Sequence, residues 1–223
     1  MIKRHWQVFC SALLAAVVCA VAIASMSRWR KTPSAAPSAS LIQQGNTGGK
    51  LRQGAKEKGH FVLTYDDPQW KHILDMKMLV KSSTLIILGK VERSPCKLSE
   101  DGERITIDYL VRVNEVIKGS IAQGTLITVS LPGGLVRFDD GTTAEFRTPS
   151  FRKMASGRSY ALFLTPEDKR NGILITTGGP QGIFELSRDG ASAMHFSADF
   201  TAPPAPYQNL AALLAEIRDA VKK

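Results

Sequence analysis

Residues 105–119 read ITIDYLVRVNEVIKG and carry the clearest period in the chain. Ile105, Ile107, Tyr109, Val111 and Val113 fall on one side of an extended strand, and Thr106, Asp108, Arg112 and Asn114 on the other. One buried and one wet face is the signature of an antiparallel sheet. Upstream, Leu85 to Val91 is an apolar, branched run interrupted by Gly89, which predicts a buried strand with a bulge or bend. Downstream, Ile127, Val129 and Leu131 alternate with Leu126, Thr128 and Ser130. Pro132, Gly133 and Gly134 then turn the chain, and Asp139, Asp140 and Gly141 mark a second turn.

Further short runs at Tyr160 to Leu164, Ile173 to Thr177, Ile183 to Leu186 and Met194 to Phe200 bring the expectation to about seven or eight strands with few helices between them. Such a set predicts a mainly β fold, a small antiparallel barrel or sandwich. A helix should precede it: Asp67 suits an N-cap and Pro68 the first turn, Trp70, Ile73, Leu74, Met78 and Leu79 recur at helical spacing, and the helix should end near Ser82 or Ser83. After Pro203, Pro204 and Pro206, a last helix carries Leu210, Leu213, Leu214, Ile217 and Val221 on one stripe. Packing across a barrel opening is the expected use of that stripe, and binding a partner is the alternative.

The first 31 residues have a different character. Lys3 and Arg4 precede an uncharged apolar run from Val8 to Met26, followed by Arg28, Arg30 and Lys31. This is the layout of a signal peptide or a membrane anchor, so residues 1–31 are expected to direct the rest outside the cytoplasm. Cleavage before Ser25, after Ala22, Ile23 and Ala24, would release a periplasmic or secreted domain. Retention would make residues 8–26 a helix of about 28 Å, long enough to tether the domain to the inner membrane. Both readings stay open. Residues 32–59, rich in proline, serine and glycine, are expected to form a disordered linker. Residues 60–202 would be the β-barrel domain and residues 203–223 the helix packed on it.

The chain is formally basic, with 29 Lys and Arg against 20 Asp and Glu, but the excess is not spread evenly. Nine basic residues precede His60 against Glu57 alone, leaving 20 basic and 19 acidic from His60 onward. The folded part is therefore nearly neutral, so no nucleic-acid partner is expected. Cys10 and Cys19 lie in the leader, and Cys96 is the remaining thiol, expected to be buried.

No motif announces chemistry. His5, His60, His72 and His195 show no metal-ligand spacing, and neither a GxSxG elbow nor a Walker-type loop occurs. Gly178, Gly179 and Gly182 lie between two expected strands, so GGPQG reads as a turn rather than a phosphate cradle. The pairs Asp66–Asp67 and Asp139–Asp140 suit cap and turn duties. No catalytic residue, metal site or cofactor is assigned.

The segments TLIILGKV, VRVNEVIKG, LITVSLPGG, GRSYALFLTP and TGGPQGIFEL, spanning about Leu79 to Leu186, resemble a set of bacterial exported proteins of uncharacterised function. A strand ending in EVIKG, then a glycine ahead of a YALFL strand, is distantly similar to netrin-type modules and the inhibitory domain of tissue inhibitors of metalloproteinases. That similarity implies an OB-like barrel. Those inhibitors use an N-terminal cysteine held by disulfides, which residues from Thr32 onward lack, so protease inhibition is not implied.

One loop is a candidate ligand-binding element: Phe146, Arg147, Phe151, Arg152, Lys153 and Arg158 mix aromatic and basic side chains just before the YALFL strand. An acidic envelope polymer or envelope protein would suit it. The function expected from these readings is a non-catalytic exported or membrane-tethered binding module. The alternatives are an envelope enzyme whose site no local motif reveals, or a structural envelope component.

Overall fold

The structure is a computed structural model and describes residues 49–65, 75–149, 152–168, 170–187, 193–195 and 210–222. All of them fall in one unit of the chain, Pro37–Lys223. In chain order the elements begin with helix α1 (Lys50–Lys58), strand β1 (His60–Thr64) and helix α2 (Met76–Ser82). Strands β2 (Leu85–Arg93), β3 (Cys96–Leu98), β4 (Ile105–Lys118) and β5 (Leu126–Pro132) follow, then the hairpin β6 (Gly134–Arg137) and β7 (Thr143–Arg147). Next come β8 (Ser159–Pro166), β9 (Ile173–Thr176), β10 (Ile183–Leu186), β11 (Ala193–His195) and helix α3 (Leu210–Val221).

Five strands close on themselves. Around the ring, β8 pairs with β2, β2 with β4, β4 with β5, β5 with β9 and β9 with β8. Every contact is antiparallel except β5–β9, where Thr128 and Val129 run parallel to Ile173 and Leu174. Closure leaves no free edge between these strands. The long strand β4 follows the expected alternation: Ile105, Ile107, Tyr109, Val111 and Val113 are all buried and point inward, meeting Ile87, Val91, Val129, Leu131, Leu162 and Leu164. The bend expected at Gly89 is present as a register shift between Leu88 and Gly89 against β4.

A second, three-stranded sheet, β1–β7–β6, shares the barrel core through Val136, Phe138, Ala144 and Phe146. Gly134 makes the transition from β5 possible. Its φ is +123°, and a Cβ there would lie 2.8 Å from Cys96 Sγ and 3.1 Å from Ile107 Cγ1. Cys96 is buried, as expected of it.

Helix α1 departs from the expectation that residues 32–59 form a disordered linker throughout. Lys50–Lys58 is helical, with Leu51 and Ala55 wholly buried in the barrel core. Gly54 permits the approach, since a Cβ there would lie 2.6 Å from the Phe61 ring. The Arg52 guanidinium sits 5.1 Å from the Phe138 ring centroid and pairs with Asp139 at 2.5 Å. Glycines that read as spacer residues thus serve helix packing.

A second core lies outside the barrel wall. Ile86, Ala161, Phe163, Phe184 and Leu186, on the outer face of β2, β8 and β10, are covered by Met76, Leu79 and Val80 of α2 and by Leu213 and Ile217 of α3. The stripe of α3 therefore packs on the side of the barrel and not across an opening. Burying each of the Val, Leu, Ile, Met and Phe side chains here stabilises by about 1.5–3 kcal/mol. Helix α2 begins at Met76, capped by Asp75, whose carboxylate accepts from Met78 N–H at 2.7 Å, and ends at Ser82 with Ser83 as its C-cap, where its end was expected. The expected start at Asp67, with Pro68, Trp70, Ile73 and Leu74, lies outside the described residues, as do residues 1–48 and 196–209. No helix among the described residues is long and apolar enough to cross a membrane.

Among the described residues eleven strands are present, where about seven or eight were expected. The additional ones, β1, β3, β6 and β7, are five residues long or shorter. Such lengths show no period of their own.

Candidate functional site

The alternation along β7 sets the candidate site. Ala144 and Phe146 point into the core, so Glu145 and Arg147 share the outer face two residues apart. Arg147 Nη2 donates to Glu145 Oε2 at 2.8 Å. This hydrogen bond holds the Glu145 carboxyl below its ordinary 4.5, and the charges of Arg147, Lys153 and His60 act in the same direction. Beside these residues lies a cleft of about 490 Å³. Its floor is Ile107, Tyr109, Leu131 and Phe146, and Glu145, Arg147, Thr148, Arg152 and Lys153 supply its polar wall. The volume falls within the usual range for small-ligand pockets.

The segment carrying Arg152 and Lys153 is held from below. Met154 is buried, the Tyr160 hydroxyl accepts from Ala155 N–H at 2.9 Å, and Gly157 N–H donates to the Val91 carbonyl at 2.7 Å. Tyr109 is buried beside it, and burial pushes its hydroxyl well above the ordinary 10.0. Thr148 Oγ1 donates to the Pro132 carbonyl at 3.1 Å and fixes the other wall.

Four of the six candidate loop residues, Phe146, Arg147, Arg152 and Lys153, line this cleft. Phe146 lies deep in the core rather than on an open loop, with 4% of its surface exposed. Arg158 is elsewhere, bonded through Nε to Glu185 Oε1 of β10 at 2.8 Å. Phe151 lies outside the described residues. The sequence reading omitted Glu145, which the alternation about Phe146 would have placed beside Arg147. It also omitted Tyr65, at the end of β1. Tyr65, a residue 45% exposed, donates its N–H to the Arg147 carbonyl at 2.8 Å, and its ring lies 6.0 Å from the Phe146 ring. Only the pairing of β1 with β7, distant in sequence, brings it there.

A second polar cluster occupies the outer face of β4 and β5. Asp108 and Ser130, both expected on the wet face, are each 2% exposed. Ser130 Oγ donates to Asp108 Oδ1 at 2.8 Å. Arg170, from the turn between β8 and β9, donates to Ser130 Oγ at 2.8 Å and also bonds Glu167. Lys97 Nζ stands 2.8 Å from Asp108 Oδ2 in an ion pair whose angle falls short of a hydrogen bond. The turn is thereby folded back over the sheet, and this covering accounts for the burial.

The remaining candidates have local duties. Asp140 accepts from Thr142 N–H at 3.0 Å in the β6–β7 turn, and Asp139 pairs with Arg52. His60 Nδ1 lies 2.8 Å from Thr143 Oγ1, and His195 falls in β11. Gly179–Gly182 forms one 3-10 turn between β9 and β10, in keeping with the reading of GGPQG as a turn. Among the described residues, no group of three or more His, Cys, Asp or Glu side chains stands close enough to hold a metal ion.

No known protein-family model matches the chain, and no curated protein matches it. Its class is therefore defined by the geometry: a closed five-stranded β-barrel protein with an apolar-floored, charge-walled cleft beside one end of a small accessory sheet.

Proposed function

We propose that the chain is a non-catalytic binding module built on an OB-like barrel, acting outside the cytoplasm. Numbering the five barrel strands in chain order, the ring runs one, two, three, five, four, with the three–five contact parallel. This order supports an OB-like assignment. The cleft is the binding site in this reading, and its occupant is an acidic polymer or protein of the cell envelope. The observation that carries the proposal is the convergence of Arg147, Arg152 and Lys153 over a floor of buried apolar side chains. Charge and apolar area then act on the same ligand.

Glu145 supports binding over catalysis. A general acid or base works best with its pKa near the operating pH, whereas Arg147 holds Glu145 firmly as a carboxylate. The leader of residues 1–31 supports export, either released by cleavage before Ser25 or tethered through residues 8–26. Replacing Arg147, Arg152 and Lys153 together by serine tests the site in cells: association of the protein with the envelope fraction should fall, and unchanged association overturns the proposal. Fractionation with intact mass measurement separates the two forms, since cleavage gives a soluble species starting at Ser25 and tethering gives the full chain in the inner membrane.

A further inference from the structure

The composition of the cleft goes beyond a demand for negative charge. We infer that its ligand is a carboxylated glycan strand, a conclusion that rests on the cleft being the binding site. Tyr65 leaves 45% of its surface to solvent although it is tilted against Phe146, a residue of the cleft floor. An exposed aromatic ring of this kind can pack against the C–H face of a sugar. Lys153 lines the cleft and supplies charge for a carboxylate.

Glu145 discriminates between kinds of anion. It is a carboxylate inside the cleft and can only accept hydrogen bonds, so it suits a ligand rich in hydroxyl donors. A polyphosphate, a nucleic acid or a polyglutamate strand would bring further negative charge against it, with few or no hydroxyl donors at the same spacing. Thr64 and Thr148, also in the wall, add hydroxyl groups. A sugar acid satisfies all three features at once: an apolar ring face, hydroxyl donors and one carboxylate.

The experiment is equilibrium binding of the full-length protein to polygalacturonate, dextran, poly-L-glutamate and oligo-dT, by affinity electrophoresis at two salt concentrations. Polygalacturonate should bind, and dextran, which lacks the carboxylate, should bind much more weakly. Tyr65→Ala should weaken polygalacturonate binding about tenfold, while Tyr65→Phe retains most of it. Lys153→Ser should weaken binding and flatten its dependence on salt. If poly-L-glutamate or oligo-dT binds as tightly and Tyr65→Ala changes nothing, the glycan assignment is wrong although the cleft still binds anions. If no polymer binds and the triple serine variant keeps its envelope association, both the glycan and the cleft as binding site are refuted.

Discussion

Asp108→Ala removes the buried carboxylate that fastens the β8–β9 turn over β4 and β5. Its side chain is 3% exposed, accepts from Ser130 Oγ at 2.8 Å and has Lys97 Nζ at 2.8 Å and Arg170 Nη1 at 3.8 Å. Deleting one partner of a fully buried ion pair costs about 3–5 kcal/mol, because the other charge is left stranded. Here the stranding is incomplete: the side chains of Lys97 and Arg170 are 61% and 37% exposed, and Arg170 keeps Glu167. The charged hydrogen bond from Ser130 is worth about 1.5–3 kcal/mol, and the two screened pairs add less than about 1 kcal/mol. The expected loss is about 2–3 kcal/mol, read as a lower urea midpoint at constant m. Asp108→Asn, which keeps an acceptor for Ser130, should lose about half as much. In a double-mutant cycle, Asp108→Ala and Arg170→Ala should couple by at least about 0.5 kcal/mol. Additive effects, or a loss below about 0.5 kcal/mol for Asp108→Ala, would refute the fastening. Because Asp108 points away from Ile107 and Tyr109 on the cleft floor, ligand affinity should be unchanged.

Other perturbations test the two cores and the buried tyrosine. Leu213→Ala and Ile217→Ala should each cost about 2–5 kcal/mol in urea unfolding, because both side chains are fully buried against the barrel wall; costs below about 1 kcal/mol would mean α3 is not docked there. Gly134→Ala should lose about 1–3 kcal/mol, from its +123° φ and a Cβ placed 2.8 Å from Cys96 Sγ; Cys96→Ala in the same chain should recover only part of that loss, and complete recovery would show that the backbone carries no strain. Burial raises the Tyr109 hydroxyl above its ordinary 10.0, so the unfolded chain releases this proton first and stability falls as pH rises beyond about 10. Tyr109→Phe should show a shallower fall between about pH 10 and 11 in thermal unfolding, and an equal slope would exclude Tyr109 as the cause.

The parts of this fold that could be read from sequence are those whose physical cause is local. Strand β4 is long and has one face in the core, so a period of two runs through Ile105 to Val113. Helix α3 has a stripe because one side meets the barrel wall, although the stripe alone does not say which surface it meets. By contrast, β1, β6 and β7 are short, and their sheet depends on a parallel pairing of His60–Thr64 with Thr143–Arg147. Composition misleads at α1 because Gly54, a breaker in isolation, allows Leu51 and Ala55 to approach the core. The polarity of Asp108 and Ser130 likewise implies water until Arg170 arrives from the β8–β9 turn to cover them.

The cleft divides along the same line, and the division bears on how its specificity arises. Arg147, Arg152 and Lys153 lie close together in sequence, so an anion-seeking patch is visible as soon as the residues are read. The floor residues Ile107, Tyr109 and Leu131 come from β4 and β5, Tyr65 meets the floor residue Phe146 from the end of β1, and only the folded chain joins them. Charge on the loop governs the approach of a ligand and its salt dependence. In the proposed reading, recognition of a particular anion depends on the exposed ring of Tyr65, brought in from a distant strand, and on the carboxylate of Glu145. The charge variants and the Tyr65 variants should therefore separate in measurement: the former change association rate and salt slope, the latter change dissociation rate and the ranking of ligands. Equal effects of both sets on the salt slope would mean that the cleft selects for charge alone.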